Sequence, residues 1–342
     1  MRLLIAAAAV ATAGSLAAPR AAEPRWPIQE FLTKYAHATA AELQALERGE
    51  PVARSIEIGD VREVAVAGAI RLPVSRATFV DKYRDIAKIK ESDAVVQIGK
   101  FSAVPTAEDI SPLVLEKDDL STLARCRLGD CDMRLTAPMI ERFRKEIDWK
   151  APDHDARATA LMHEILAQRA ADFLAKGDGA LVRFADQSRP VDPAASFAAI
   201  LSHEPSLEEY APELREYLVK FPEATLPDTD GFTYWSKEVW GPVQVISLTN
   251  VTIYPRPASR ETLIATRDIY ANHVLDASLG ILVVADVSEH CCERSCLLMY
   301  LNHSKVDALH GMLSALRRSF VQRRQRENMA NYLKATREKI GR

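Results

Sequence analysis

Residues 296–320 read CLLMYLNHSKVDALHGMLSALRRSF, and the fold turns on where this stretch stops being strand and becomes helix. Cys296 to Ser304 is a short apolar run ending in polar residues, the mark of a buried strand. Alternation sends Met299, Leu301 and His303 to one face and Leu298, Tyr300, Asn302 and Ser304 to the other. From Lys305 the period changes. Val306, Leu309, Leu313, Leu316 and Phe320 recur every three or four residues, which predicts a helix from Lys305 to Ile340, about 35 residues long. At the junction, Asn302 or Ser304 is placed to cap the helix and Asp307 to favour its dipole.

Working upstream, FTYW from Phe232, VQVISLTNVTIY from Val243, TLIATRDIYANH from Thr262 and SLGILVVAD from Ser278 read as strands. No helix fits between them, so they predict an antiparallel meander. Residues 54–72 alternate as well, with Val64, Val66, Gly68, Ile70 and Leu72 on one face and Glu63 and Arg71 on the other. Ser75 then caps a helix carrying Phe79, Tyr83 and Ile86, and a second strand follows at 94–101. Between 105 and 228 the spacing is helical: 138–149, 155–176 and 206–221 are expected helices, with Gly177 stopping one and Ser206 to Glu209 starting another. The chain divides into an export signal (1–22), an N-terminal helical segment (23–53), a sheet with its terminal helix (54–104 and 232–342), and an inserted helical region (105–231). The class is α+β.

The first residues, MRLLIAAAAVATAGSLAAPRAAEPRW, carry one Arg, an apolar run and small residues around Ser15 to Ala18, the pattern of a signal peptide. A periplasmic or secreted location is therefore expected. In an oxidising compartment cysteines pair, and Gly129 and Asp130 supply the turn that brings Cys126 to Cys131. The second group, HCCERSC, offers Cys296 a partner in Cys292 or Cys291. No zinc-ribbon spacing accompanies it, and the second histidine of a zincin motif beginning at His163 is replaced by Ala167, so neither metal nor other cofactor is expected. A net charge of -3 gives no overall attraction to nucleic acid. Basic charge is local: Arg317 to Arg342 holds nine Lys and Arg against Glu327 and Glu338, a solvated face or a stripe for an anionic envelope surface.

The order strand, helix, strand, inserted helices, meander and terminal helix resembles the helix-grip fold of the START and polyketide-cyclase (SRPBCC) superfamily. AIRLPVSRATFVDKYRDIAKI is similar to that superfamily's first strand running into its helix. The resemblance implies a curved antiparallel sheet gripping the long C-terminal helix, with a cavity between them. GKFS, CRLGDCD, YWSKEVWG, NVTIY, DIYANHVLDASLG and YLNHSKVDALHG also resemble an uncharacterised family of exported bacterial proteins, which implies no activity.

Aromatic residues on or beside the strands combine an apolar ring with a polar tip. Tyr234, Trp235, Tyr254, Tyr270 and Tyr300, with Asn302 and His303, are the candidate ligand-binding set. A hydrophobic or amphipathic molecule, lipid included, is the expected partner. An enzyme on the same scaffold is the alternative, with His273 or His303 as acid or base. Asp276 and Ser278 complete a triad pattern with His273, but no nucleophile elbow is present, and a bend or bulge satisfies the same residues. A structural role in the envelope is the third reading. Lys237, between Ser236 and Glu238, reads as a solvated charge.

Overall fold

A computed structural model describes residues 27–287, 295–306, 309 and 314–341. The signal-peptide reading and Cys291 and Cys292 lie outside them. Two helices open the described chain, α1 (Ile28–Ala36) and α2 (Ala40–Glu47), followed by strands β1 (Val52–Ile56) and β2 (Glu63–Leu72). Next come α3 (Arg76–Tyr83), α4 (Ile86–Lys90) and β3 (Val95–Lys100). The insertion contributes α5 (Lys117–Arg125), α6 (Ala137–Glu146), α7 (His154–Lys176), α8 (Pro193–Ser202), α9 (Pro205–Tyr210) and α10 (Pro212–Lys220). Strands β4 (Asp230–Trp240), β5 (Val243–Arg256), β6 (Glu261–Ala271), β7 (Leu275–Asp286) and β8 (Cys296–Val306) precede α11 (Ser314–Ile340). Among the described residues, no helix is long and apolar enough to cross a membrane.

All eight strands form one curved, open antiparallel sheet in the order β1-β2-β8-β7-β6-β5-β4-β3. The expected meander is therefore present, and β2 closes on β8, joining the two ends of the chain. α+β is the class, with the terminal helix held by the sheet and a helical insertion on its other side.

The inner face carries Val66, Ile70, Leu72, Val251, Ile253, Ile264, Leu282, Val284 and Leu298, packed with Phe79 and Tyr83 of α3 and with Met329, Leu333 and Ile340 of α11. Burying each large apolar side chain stabilises by about 1.5–3 kcal/mol, so these three residues alone anchor the helix's C-terminal half. Gly68 sets how close it comes: a Cβ there would stand 2.7 Å from Met329 Cγ and 2.8 Å from Leu333 Cδ1. The outer face carries Ala65, Ala67, Ala69, Leu263, Leu279, Ile281, Met299 and Leu301 under α1, α8, α9 and α10. Farther along, Trp235, Leu248 and Tyr270 join the core of α5, α6 and α7.

Four expectations need correction. Residues 54–72 are not one strand; the Asp60 carboxylate accepts Arg62 N–H in a turn, so β1 and β2 form a hairpin. The strand of the opening stretch runs to Val306, so Lys305 is a strand residue, and α11 is described as Ser314–Ile340; Phe320, expected on the buried stripe, is 59% exposed. Residues 206–221 hold two helices, because Pro212 opens a new one and Glu204, not Ser206, caps the first. Lys237 is not solvated: it is fully buried, donating to Val114 O at 2.8 Å and to Glu116 Oε1 at 2.7 Å. Elsewhere the local signals hold. Thr39 and Glu42 form the capping box, Ser75 caps α3, Gly177 ends α7, and Cys126 and Cys131 stand at disulfide distance.

Candidate functional site

The inner face is graded along the strands, because antiparallel register lines up residues of like polarity across neighbours. One row crosses β2, β8, β7, β6 and β5 as Gly68, Tyr300, Leu282, Ile264 and Ile253. The next row is Val66, Asn302, Gly280, Thr266 and Val251. One step farther come Val64, Ser304 and Ser278, then Asp268 paired with Thr249 and Thr249 with Tyr234. Apolar wall thus gives way to hydroxyls and a carboxyl within two rows. Gly280 keeps the middle row open, since a Cβ there would stand 3.2 Å from Tyr300 Oη.

These polar groups are tied together. Asn302 Nδ2 donates to Ser278 Oγ at 3.3 Å, the Ser278 and Ser304 hydroxyls are 3.0 Å apart, and Ser304 donates to Asn302 Oδ1 at 2.9 Å. Thr249 donates to Asp268 Oδ1 at 2.7 Å. At the β4 side Lys90 Nζ is 2.7 Å from Glu238 Oε1 and lies over the Tyr234 ring at 5.4 Å. Although they sit mid-strand on the inner face, Thr266, Asp268, Tyr300 and Asn302 all retain accessible surface. A solid core would seal such positions.

Burial raises the Asp268 carboxyl to about 6 against the opposing Thr249 hydrogen bond and the Lys90 charge. For Lys90 burial works the other way, disfavouring the ammonium, but Tyr234 and Glu238 outweigh it and its pKa stands well above the usual value. Burial likewise opposes ionisation of Glu238, yet Lys90 holds that carboxyl below its ordinary range. The phenols of Tyr83, Tyr234, Tyr300 and Tyr332 are pushed up by burial, which leaves them neutral hydroxyls at physiological pH.

The expected ligand-binding set is split between the two faces. Tyr234, Tyr300 and Asn302 are on the inner face; Trp235, Tyr254, Tyr270 and His303 are on the outer one. There Trp235 Nε1 donates to Asp109 O at 2.9 Å, Tyr270 Oη to Arg134 O at 3.1 Å, and Tyr254 Oη to Glu213 Oε1 at 3.4 Å. These three fix the inserted helices to the sheet. His303, wholly buried, has Nε2 3.1 Å from Glu63 Oε2 and Nδ1 3.6 Å from Glu204 Oε2. Burial disfavours its charge, but the Glu204 and Glu63 carboxylates prevail and raise its pKa.

The triad pattern does not assemble. Asp276 is the bulged residue of β7 and pairs with buried Arg134, while Ser278 belongs to the inner hydroxyl network. His273 stands in the turn after β6, where burial lowers its pKa against the nearby Asp119 charge. Asn302 and Ser304, expected as helix caps, are strand residues of that same network. His163 is a helix-face residue, its Nε2 2.8 Å from Leu113 O. Cys296 is a buried thiol pushed up to about 12 by burial; the partners expected for it, Cys292 or Cys291, lie outside the described residues. Among the described residues no cluster of three His, Cys, Asp or Glu is placed to hold a metal.

Lys90, Glu238, Thr249, Thr266, Asp268 and Tyr332 were not among the sequence candidates. A signal for four of them exists: Glu238, Thr249, Thr266 and Asp268 occupy alternate strand positions that would otherwise be apolar. Comparison with protein-family models, with curated proteins and with solved structures yields no match.

Proposed function

We propose that the protein binds an amphipathic small molecule, lipid included, between the inner face and α11, and that it does so in the cell envelope. The observation that carries this reading is the polarity gradient of an inner face that keeps accessible surface at its centre. An apolar chain matches the Leu282, Ile264 and Ile253 end; a polar head matches the Asn302, Ser278 and Asp268 end. Support also comes from the strand order and the held terminal helix, which agree with the resemblance to the START and polyketide-cyclase superfamily. The signal-peptide pattern supports export. On α11, Arg323, Arg324, Arg326 and Lys334 are exposed, with Arg323 over the exposed Phe320 ring at 5.5 Å, and this face suits an anionic envelope surface. The enzyme alternative draws nothing from His273 or His303, since neither is on the inner face.

Protein isolated from the periplasm without detergent and extracted with organic solvent is expected to release one amphipathic species, identified by mass spectrometry at near-stoichiometric yield. An empty extract, together with failure of the purified protein to bind any long-chain probe, refutes the reading.

A further inference from the structure

The charges on the inner face do not balance. Lys90 and Glu238 neutralise each other at 2.7 Å, and Asp268 is left with hydroxyl partners alone: Thr249 Oγ1 at 2.7 Å and Ser278. No ion pair to Asp268 exists among the described residues, although it lies deep on the sheet and retains accessible surface. A second group points the same way. Gln325 Oε1 on α11 is buried and has no hydrogen-bond partner among the described residues. Met329 and Leu333 lie over Gly68, while Gly341 approaches Pro73, so α11 runs in the same sense as β2. One helical turn back from Met329 therefore carries Gln325 toward Val66 and Val64, the β2 partners of Asn302 and Ser304. The polar end of the face thus offers an uncompensated carboxyl and an orphaned amide oxygen, both acceptors. Around it stand the rings of Tyr234, Tyr300 and Tyr332.

We propose that this polar end receives the protonated nitrogen of a long-chain amine, with Asp268 as its counter-ion and Gln325 as a hydrogen-bond acceptor. The inference rests on the binding reading above and adds the chemical class of the head group. An ammonium group has donors and no acceptor, which is what the two acceptors lack, and aromatic faces tolerate its charge. A carboxylate head would meet Asp268 with like charge. A hydroxyl head satisfies one acceptor and leaves the buried charge uncompensated. The groups facing Asp268 are Thr249 of β5, Ser278 of β7, Lys90 of α4, Tyr234 and Glu238 of β4 and Tyr300 of β8. With the phenols neutral and Lys90 paired, Asp268 sets the sign of the site. Its carboxyl, raised to about 6, gains a proton as pH falls, so amine binding weakens on acidification.

The full chain, stripped of bound lipid, is titrated calorimetrically with dodecylamine, dodecanol and dodecanoate below their micelle concentrations. At neutral pH dodecylamine is expected to bind about tenfold or more tightly than dodecanol, the worth of one charge-assisted contact. Asp268→Asn, whose melting temperature is checked first, should bring the two within about threefold. Independently of any variant, the wild-type preference should collapse about one pH unit below the carboxyl's own value. Equal affinity for amine and alcohol in the wild type, or a preference that survives both Asp268→Asn and acidification, overturns the amine assignment and leaves the binding reading standing. Failure of all three probes to bind sinks both.

Discussion

Replacing Glu63 by Gln keeps the side chain's volume and removes its charge where β2, β8 and the α8–α9 corner meet. Both oxygens are deep inside: Glu63 and His303 are fully buried, and Glu63 Oε2 takes His303 Nε2 at 3.1 Å and His203 Nδ1 at 2.8 Å. The two histidines do not count equally. His203 has a side chain 43% exposed, so its contact is screened and contributes little. His303 has no such relief, and losing the Glu63 carboxylate leaves its charge a neutral amide at Nε2 and only the Glu204 carboxylate, 3.6 Å from Nδ1. Breaking a buried pair of this kind costs about 3–5 kcal/mol. Unfolding entropy of about 2.1 cal/mol/K per residue over a chain of 342 residues converts that to a fall of roughly 4–7 °C in melting temperature. The dependence on pH has a definite shape. Glu63 is disfavoured by burial but held below its ordinary 4.5 by His303 and His203, so its contribution is present above that value and lost as pH falls through the lowered one. His303 is raised above its ordinary 6.5, so its contribution is present below that value and lost as pH rises through the raised one. Calorimetric scans of wild type and Glu63→Gln should therefore differ most between about pH 4.5 and 6.5, and converge on either side. Melting temperatures within about 1 °C of each other at about pH 5.5 would refute the ion pair; a gap that ignores pH would assign the loss to packing alone.

Gly68→Val is expected to drive Met329 and Leu333 off the sheet, with a loss of about 1–3 kcal/mol by urea unfolding and faster hydrogen exchange in the last turns of α11. Lys237→Met removes the donor to Val114 O and frees Glu116, whose side chain is already half exposed; a cost of about 1–3 kcal/mol is expected, and an unchanged denaturation midpoint would show that the insertion is not fastened there. Cys296, buried and with its thiol pushed up to about 12, should resist iodoacetamide in the native protein at about pH 8 and react fully once denatured, as read by peptide mapping; rapid native labelling would contradict its place in the core.

How far the sequence carries depends on whether a feature's cause is local. Strands β4 to β8 were legible because a two-residue alternation is written into each segment, and the caps at Thr39 and Ser75 because donor and acceptor are three residues apart. The start of α11 was misjudged for a related reason. Val306 and Leu309 fit a helical spacing, yet both are buried in a cluster with Val64, Val245 and Leu275 at the sheet's end, so the sheet claims the strand as far as Val306. Glu63 and Lys237 show the limit more sharply. Each looks like an outward charge until its partner is known, and the partners lie 240 and 121 residues away, beyond any local period. The same holds for Asp268. Alternation alone places it on a face with Thr266 and shows that the face turns polar, but it does not show whether that face meets water or a helix. The docking of α11 against β2, permitted by the missing side chain at Gly68, is likewise written in no local period. A reading of function from this chain therefore depends on two positions that carry little functional signal by themselves: a glycine that lets the helix dock, and a carboxyl that has no ion pair among the described residues.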